Sequence, residues 1–322
     1  MSMMKHLLVM VSLTAALIGC KKSDDVGESA DAGVYVTGFA PPPVADGYKR
    51  YVTPVIHGVA PGADKMFCQW VDVANPADID LLDIHGYQSV TGHHAVLYSS
   101  SENEPVGTSR ECTTDDMVSV EFLGGIGGEG GGNSTELPVG LVFRVREGRT
   151  LMANVHYLNT TDQVQDVQSV LDVKTDAPSD ARTAVGLTGI NTLEFSIPPN
   201  TPTYTFDAYC TYPQEASIIM WSNHMHASGV SAYSEIKHMD GTIEPMIQDT
   251  EWRAEEAFNP TWKRWDVNAP AKIHAGDQLH ISCTWSNLTS SKVRFPDEMC
   301  DAVGFYLENP AQTVCDGTAT GQ

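Results

Sequence analysis

Basic residues are scarce in this sequence: 19 Lys and Arg stand against 41 Asp and Glu, for a formal net charge of −22. Neutralising a phosphate backbone takes clustered cations, so nucleic acid is excluded as a partner class. The acidic surplus reads instead as the surface of an exported protein kept apart by charge. Long hydrophobic runs are also missing. The longest, Leu7 to Ile18, is about a dozen residues, short of the ~20 a membrane helix needs. Helical periodicity is rare. No two cysteines form a C-x-x-C pair, which argues against a cysteine zinc site. What remains is 42% hydrophobic and 19% charged, the balance of a folded globular chain.

The N-terminus reads as a targeting segment. Lys5 precedes the apolar run, which ends Leu17-Ile18-Gly19-Cys20. This pattern resembles a bacterial lipoprotein signal, in which residues 1–19 are removed and Cys20 carries lipid. A plain secretory signal with a chance cysteine is the other reading. Residues 20–44 are rich in Lys, Ser, Asp, Gly, Ala and Pro and read as a flexible tether. Lys21 gives no inner-membrane retention signal of the Asp type, so the outer membrane or cell surface is expected. Six further cysteines remain: Cys68, Cys112, Cys210, Cys283, Cys300 and Cys315. An even set in an exported protein favours disulfides. If pairing stays within halves, Cys68 joins Cys112, and the other four allow three arrangements.

Short β-branched and aromatic runs recur, separated by Gly, Pro, Asn and Asp. They are Val52–Ile56, Ala95–Tyr98, Leu141–Val145, Leu151–Tyr157, Ser217–Trp221, Gln278–Trp285 and Val303–Leu307. This predicts an all-β fold of antiparallel sandwich type. Residues 81–84 and 251–257 suggest short helical turns. Gly124 to Gly132 holds seven glycines in nine residues and predicts a mobile surface loop rather than a strand. A second break at Thr175 to Ala184 places a domain boundary near residue 185. The expected units are 45–185 and 186–322.

The chemistry concentrates in histidines. His224 and His226, at i and i+2 on a strand, would share one face and form half a metal site. His93 and His94 are adjacent and would diverge on a regular strand. Both could hold one ion only across a bulge, which Gly92 makes cheap. His156 lies in the strand-like run Met152 to Tyr157. Met299 sits in Asp297-Glu298-Met299-Cys300. Singly, each has an ordinary structural explanation. Together they form a three-histidine set and a two-histidine, one-methionine set. Imidazole suits copper, and a thioether favours Cu(I).

At these residues the chain resembles the type II, ascorbate-dependent copper monooxygenases, the family of peptidylglycine α-hydroxylating monooxygenase and dopamine β-monooxygenase. The resemblance rests on four motifs in order. They are Gly92-His93-His94-Ala95-Val96-Leu97-Tyr98; Gly140-Leu141-Val142-Phe143-Arg144-Val145 with Asn154-Val155-His156-Tyr157; His224-Met225-His226; and Asp297-Glu298-Met299-Cys300. It implies two tandem jelly-roll-like β-sandwiches facing a solvent-filled cleft, each with one copper. His93, His94 and His156 would hold the electron-transfer copper. His224, His226 and Met299 would hold the oxygen-activating copper and carry catalysis. The implied disulfides are Cys68–Cys112, Cys210–Cys315 and Cys283–Cys300. The implied reaction hydroxylates a C–H bond of a small organic substrate with O2 and a one-electron donor such as ascorbate.

The sequence departs from the peptide-amidating members at two positions. Their substrate-holding Arg and Tyr are here Ser222 and Val303, so no guanidinium fork is placed to pair a substrate carboxylate. Trp221, Tyr233, Trp252, Trp262, Trp265 and Trp285 are candidates to line an apolar cleft or to fill the cores. A non-catalytic copper-binding or delivery lipoprotein is the alternative from another class. Met299 argues against a zinc site.

Overall fold

Alternation writes the fold. Along the strand Gln278–Asn287 half-buried and buried residues take strict turns, because successive side chains leave a strand on opposite faces. In the computed structural model, which describes residues 35–127, 132, 135–257, 260–295, 297–309 and 311–319, such strands build two antiparallel β-sandwiches in tandem. Cys20, the leader and the first part of the tether lie outside the described residues.

In the first sandwich, one sheet orders the strands Ser109–Glu111, Asp64–Trp70, Thr150–Leu158, Gly92–Ser100 and Val120–Gly127. The other orders Lys49–Val52, Ser169–Asp176, Ile79–Gln88, Leu141–Val145 and Thr183–Ala184. In the second sandwich, the sheet built on Ala216–His224, Asp301–Tyr306 and Gly186–Asn191 faces one ordered Thr201–Thr211, Gln278–Asn287, Gly229–Lys237 and Ile243–Asp249. Strand pairing changes partners across Val185: Thr183–Ala184 joins Leu141–Val142, while Gly186 starts the ladder to Tyr306. The disulfides are Cys68–Cys112, Cys210–Cys315 and Cys283–Cys300, which suit an oxidising compartment outside the cytosol. Among the described residues no helix is long and apolar enough to cross a membrane.

The halves meet in a packed apolar seam. Phe305, fully buried, stacks on Phe122 at 6.0 Å and meets Phe143 edge-on at 5.2 Å. Ile219 and Met220 join the same cluster. Burial of a Phe side chain of this kind contributes about 1.5–3 kcal/mol.

One clasp occurs twice. After Thr150–Leu158, Asn159 Oδ1 accepts from Thr161 N (3.0 Å) and Thr161 Oγ1 (2.7 Å), while its Nδ2 donates to Val59 O and Gln163 O. After Gln278, the strand ends at Asn287, whose Oδ1 takes the same two donors from Thr289 and whose Nδ2 donates to Pro198 O and Ser291 O.

Three local expectations are corrected. Residues 81–84 continue a strand rather than turn, because Leu81 and Ile84 are buried in the core between the sheets. The glycine run begins inside a strand: Gly124 and Gly125 pair with Leu97 and Val96. A Cβ on Gly124 would lie 3.1 Å from Ile84 Cγ2, so the missing side chain is what lets the opposing sheet approach. The run Val52–Ile56 is two strands, Lys49–Val52 and Ile56–Val59, interrupted at Pro54, which lacks the N–H for a ladder. The turn expected at 251–257 is a 3-10 helix at Ala254–Ala257. The helix Thr114–Val118 was not anticipated; its capping box, Thr113 with Asp116, was available in the sequence.

Candidate metal centre

The first cluster depends on a bulge. Gly92 pairs with Tyr157 and His94 with His156, so His93 is the extra residue between them. That lets two adjacent histidines serve one point. The bulge is fixed from behind. A Cβ on Gly92 would fall 2.2 Å from Gln88 Cβ, so only glycine fits. Buried Gln88 donates from Nε2 to the carbonyls of His94 (3.1 Å) and His156 (3.3 Å), tying the two strands where the ligands emerge.

The result is convergence of one nitrogen type. The Nδ1 atoms of His93 and His156 are 3.3 Å apart, as are those of His94 and His156. Two nitrogens held ~2.0–2.1 Å from one first-row ion at a tetrahedral angle lie about 3.3 Å apart, so the spacing fits a metal. The three residues form a group with ligand atoms within 4.8 Å of one another. Burial, reinforced by the charge of His156, pushes the His93 imidazole down to about 4. Burial likewise holds His94 well below the ordinary range. Both therefore present lone pairs at neutral pH, the form that binds metal.

The second cluster forms at the end of a strand. His224 closes Ala216–His224, and the chain then turns, with Gly229 N donating to His226 O at 3.2 Å. His226 is thus off the strand, contrary to the i, i+2 strand reading. The rings nonetheless meet, with centroids 5.3 Å apart and planes at 89°. Met225 between them is fully buried in the second core and anchors the turn. His226 Nδ1 donates to Asp297 O at 3.1 Å, which leaves Nε2 as the lone-pair nitrogen. Burial, then the charge of His226, lowers His224 to about 3. Half-buried Met299 lies between Glu298, whose carboxylate accepts from His226 N at 2.9 Å, and Cys300. The charge of His226 also bears on His93, and those of His224 and His226 on His94, so the two clusters lie within electrostatic reach of each other.

Residues 181–320 match the family model described as copper type II ascorbate-dependent monooxygenase, C-terminal domain. The matched stretch carries His224, His226, Met299 and two of the disulfides, and it supports kinship with the copper monooxygenases. No curated protein matches the chain in sequence. Among solved structures, peptide N-glycanase F is similar at 10% identity, covering 85% of this chain and 99% of that one, with a TM-score of 0.33. A structure of infectious bursal disease virus Gx strain is similar at 11% identity, covering 81% and 72%, with a TM-score of 0.21. Likeness that weak carries nothing about function.

Ser222 and Val303 turn out to be cross-strand partners two pairs away from His224 and Asp301. Ser222 Oγ donates to Thr261 O and Asn223 O, both at 3.1 Å, so its hydroxyl proton is spent on backbone. Trp221 and Trp285 are core residues and Trp252 is buried. Trp262 packs partly buried against Phe305 at 5.3 Å. Three supporting residues escaped the sequence reading. Asp64 is hydrogen-bonded to His156 Nε2, Gln88 backs the bulge, and Glu298 holds His226. Only Glu298 stood inside a motif, and an acid beside a candidate ligand was its one available signal.

Proposed function

We propose that the chain is a copper-dependent monooxygenase with two unequal copper sites, one in each sandwich. His93, His94 and His156 form the electron-transfer site of a domain at 45–185. His224, His226 and Met299 form the oxygen-activating site of a domain at 186–322. The reading is carried by one combination: three convergent Nδ1 atoms in the half that precedes a family-matched stretch containing two histidines and a methionine. Copper supplies the one-electron redox chemistry and the activation of O2, with ascorbate or another one-electron donor as co-substrate.

The chain's own residues set the conditions. Burial keeps the His93, His94 and His224 imidazoles neutral. Asp64 orients His156 so that Nδ1 faces its neighbours, and Asp297 O orients His226 so that Nε2 does. Ser222 and Val303 offer no cation, so the small organic substrate is not gripped by a carboxylate there. Cys20 anchors the protein to a membrane by lipid, with residues 20–44 as tether, at the outer membrane or cell surface.

The test is oxygen uptake by copper-loaded protein with ascorbate and a substrate panel. Product-coupled uptake that disappears in Met299→Ala and His226→Ala supports the reading. Two bound coppers with no turnover under any reductant would instead favour a copper-delivery lipoprotein, a role to which the missing substrate-holding residues also lend themselves.

A further inference from the structure

Glu298 is buried, with 1% of its surface exposed, and its carboxylate accepts three hydrogen bonds. Oε2 accepts from His226 N–H at 2.9 Å and from Trp285 Nε1–H at 3.0 Å. Oε1 accepts from Ser228 N–H at 2.5 Å. The first and third donors belong to the turn that carries His226. The second belongs to the strand Gln278–Asn287, which also carries Cys283, the disulfide partner of Cys300. Met299 therefore has a tied neighbour on each side. Glu298 fastens it to the His226 turn, and both Glu298 and Cys300 fasten it to one strand, at Trp285 and Cys283. Trp285 is itself fixed by stacking on Phe195 at 4.8 Å.

We infer that Glu298 is the positioning residue that sets the distance between the Met299 thioether and the His224/His226 imidazoles. A thioether is a weak, soft ligand that binds only where the fold delivers it; a carboxylate spanning turn and strand is a device that does so. Both oxygens are needed for that span: Oε1 takes Ser228 N–H, and Oε2 takes His226 N–H and Trp285 Nε1–H. A glutamine keeps one acceptor oxygen and turns an NH2 toward a donor, which breaks one arm of it. The inference rests on the reading of His224, His226 and Met299 as a copper set.

The experiment compares wild type and Glu298→Gln, each reduced and loaded with copper, by copper stoichiometry and by Cu(I) X-ray absorption. Wild type without a sulfur scatterer would sink the ligand reading itself. With that scatterer present, Glu298→Gln is expected to keep the copper at His93, His94 and His156, to lose the Cu–S contribution, and to bind the second Cu(I) about 10–100-fold more weakly. A folded Glu298→Gln with unchanged Cu–S scattering and affinity overturns the positioning role, whatever its melting temperature. If that variant does not accumulate, Glu298→Asp replaces it, since a carboxylate one methylene shorter cannot span both N–H groups; the same two outcomes apply.

Discussion

The Nε2 of His156 is hydrogen-bonded to the carboxylate of Asp64, 92 residues earlier in the chain. That contact decides which nitrogen His156 turns toward His93 and His94. Asp64→Ala is expected to weaken copper binding at the three-histidine site by about 10–100-fold and leave the second site intact. Competition titration with a copper chelator, site by site, measures this. Equal affinity in both proteins would remove Asp64 from the account.

Met299→Ala should discriminate by oxidation state. The thioether favours Cu(I), so its loss weakens Cu(I) at the second site far more than Cu(II). Affinities taken separately under anaerobic reducing and aerobic conditions give the comparison. Parallel losses in both states would contradict a ligand role.

Gly92→Ala should damage the first site through packing alone. A Cβ 2.2 Å from Gln88 Cβ forces the turn or the bulge to move, at a cost of about 1–3 kcal/mol or more. Thermal unfolding and first-site copper content are expected to fall together. An unshifted melting temperature would show that the turn accommodates the methyl.

Asp80 ties stability to acid. Its burial pulls the carboxyl upward, but hydrogen bonds from Arg144 at 2.7 Å and Arg182 at 2.9 Å outweigh this and hold it below the ordinary range. A lowered folded value means that the stabilisation is present above the unfolded carboxyl value of ~3.9 and is lost as pH falls through the folded one. Asp80→Ala should cost about 3 kcal/mol near neutrality, the low end for a buried pair, since both guanidinium groups keep some solvent. Denaturant melts at pH 7 and pH 3 check it: the gap between wild type and variant narrows in acid.

On the proposed reading a peptide ending in glycine should not be hydroxylated at its terminal Cα, because Ser222 and Val303 offer no cation or phenol for its carboxylate. Saturable, O2-dependent hydroxylation of such a peptide by the purified protein would overturn this.

Much of this architecture is legible in short patterns. The runs at Leu141–Val145 and Gln278–Trp285 announce strands because alternation and β-branching are local properties. The bulge at His93 follows from needing two neighbours on one face. Long-range contacts leave no such trace. Asp64 meets His156 only after the sheet forms, and Gln88 reads as an ordinary polar residue until its amide is seen under two backbone carbonyls. The glycine run misled for the converse reason: glycine's local preference is for loops, but the constraint at Gly124 is the neighbouring sheet. His226 misled too, since the strand it was assigned to ends at His224.

The twin clasps at Asn159 and Asn287 bear on how the protein is made. Asn159-Thr160-Thr161 and Asn287-Leu288-Thr289 both spell the acceptor sequence for N-linked sugar. Each asparagine is buried, and each amide nitrogen donates to two backbone carbonyls. In a host that glycosylates nascent chains, a glycan attached there would occupy the nitrogen that closes each sandwich and could not be housed in the folded core. Expression in a eukaryotic secretory pathway should therefore yield misfolded protein, whereas a host lacking that modification meets no such obstacle.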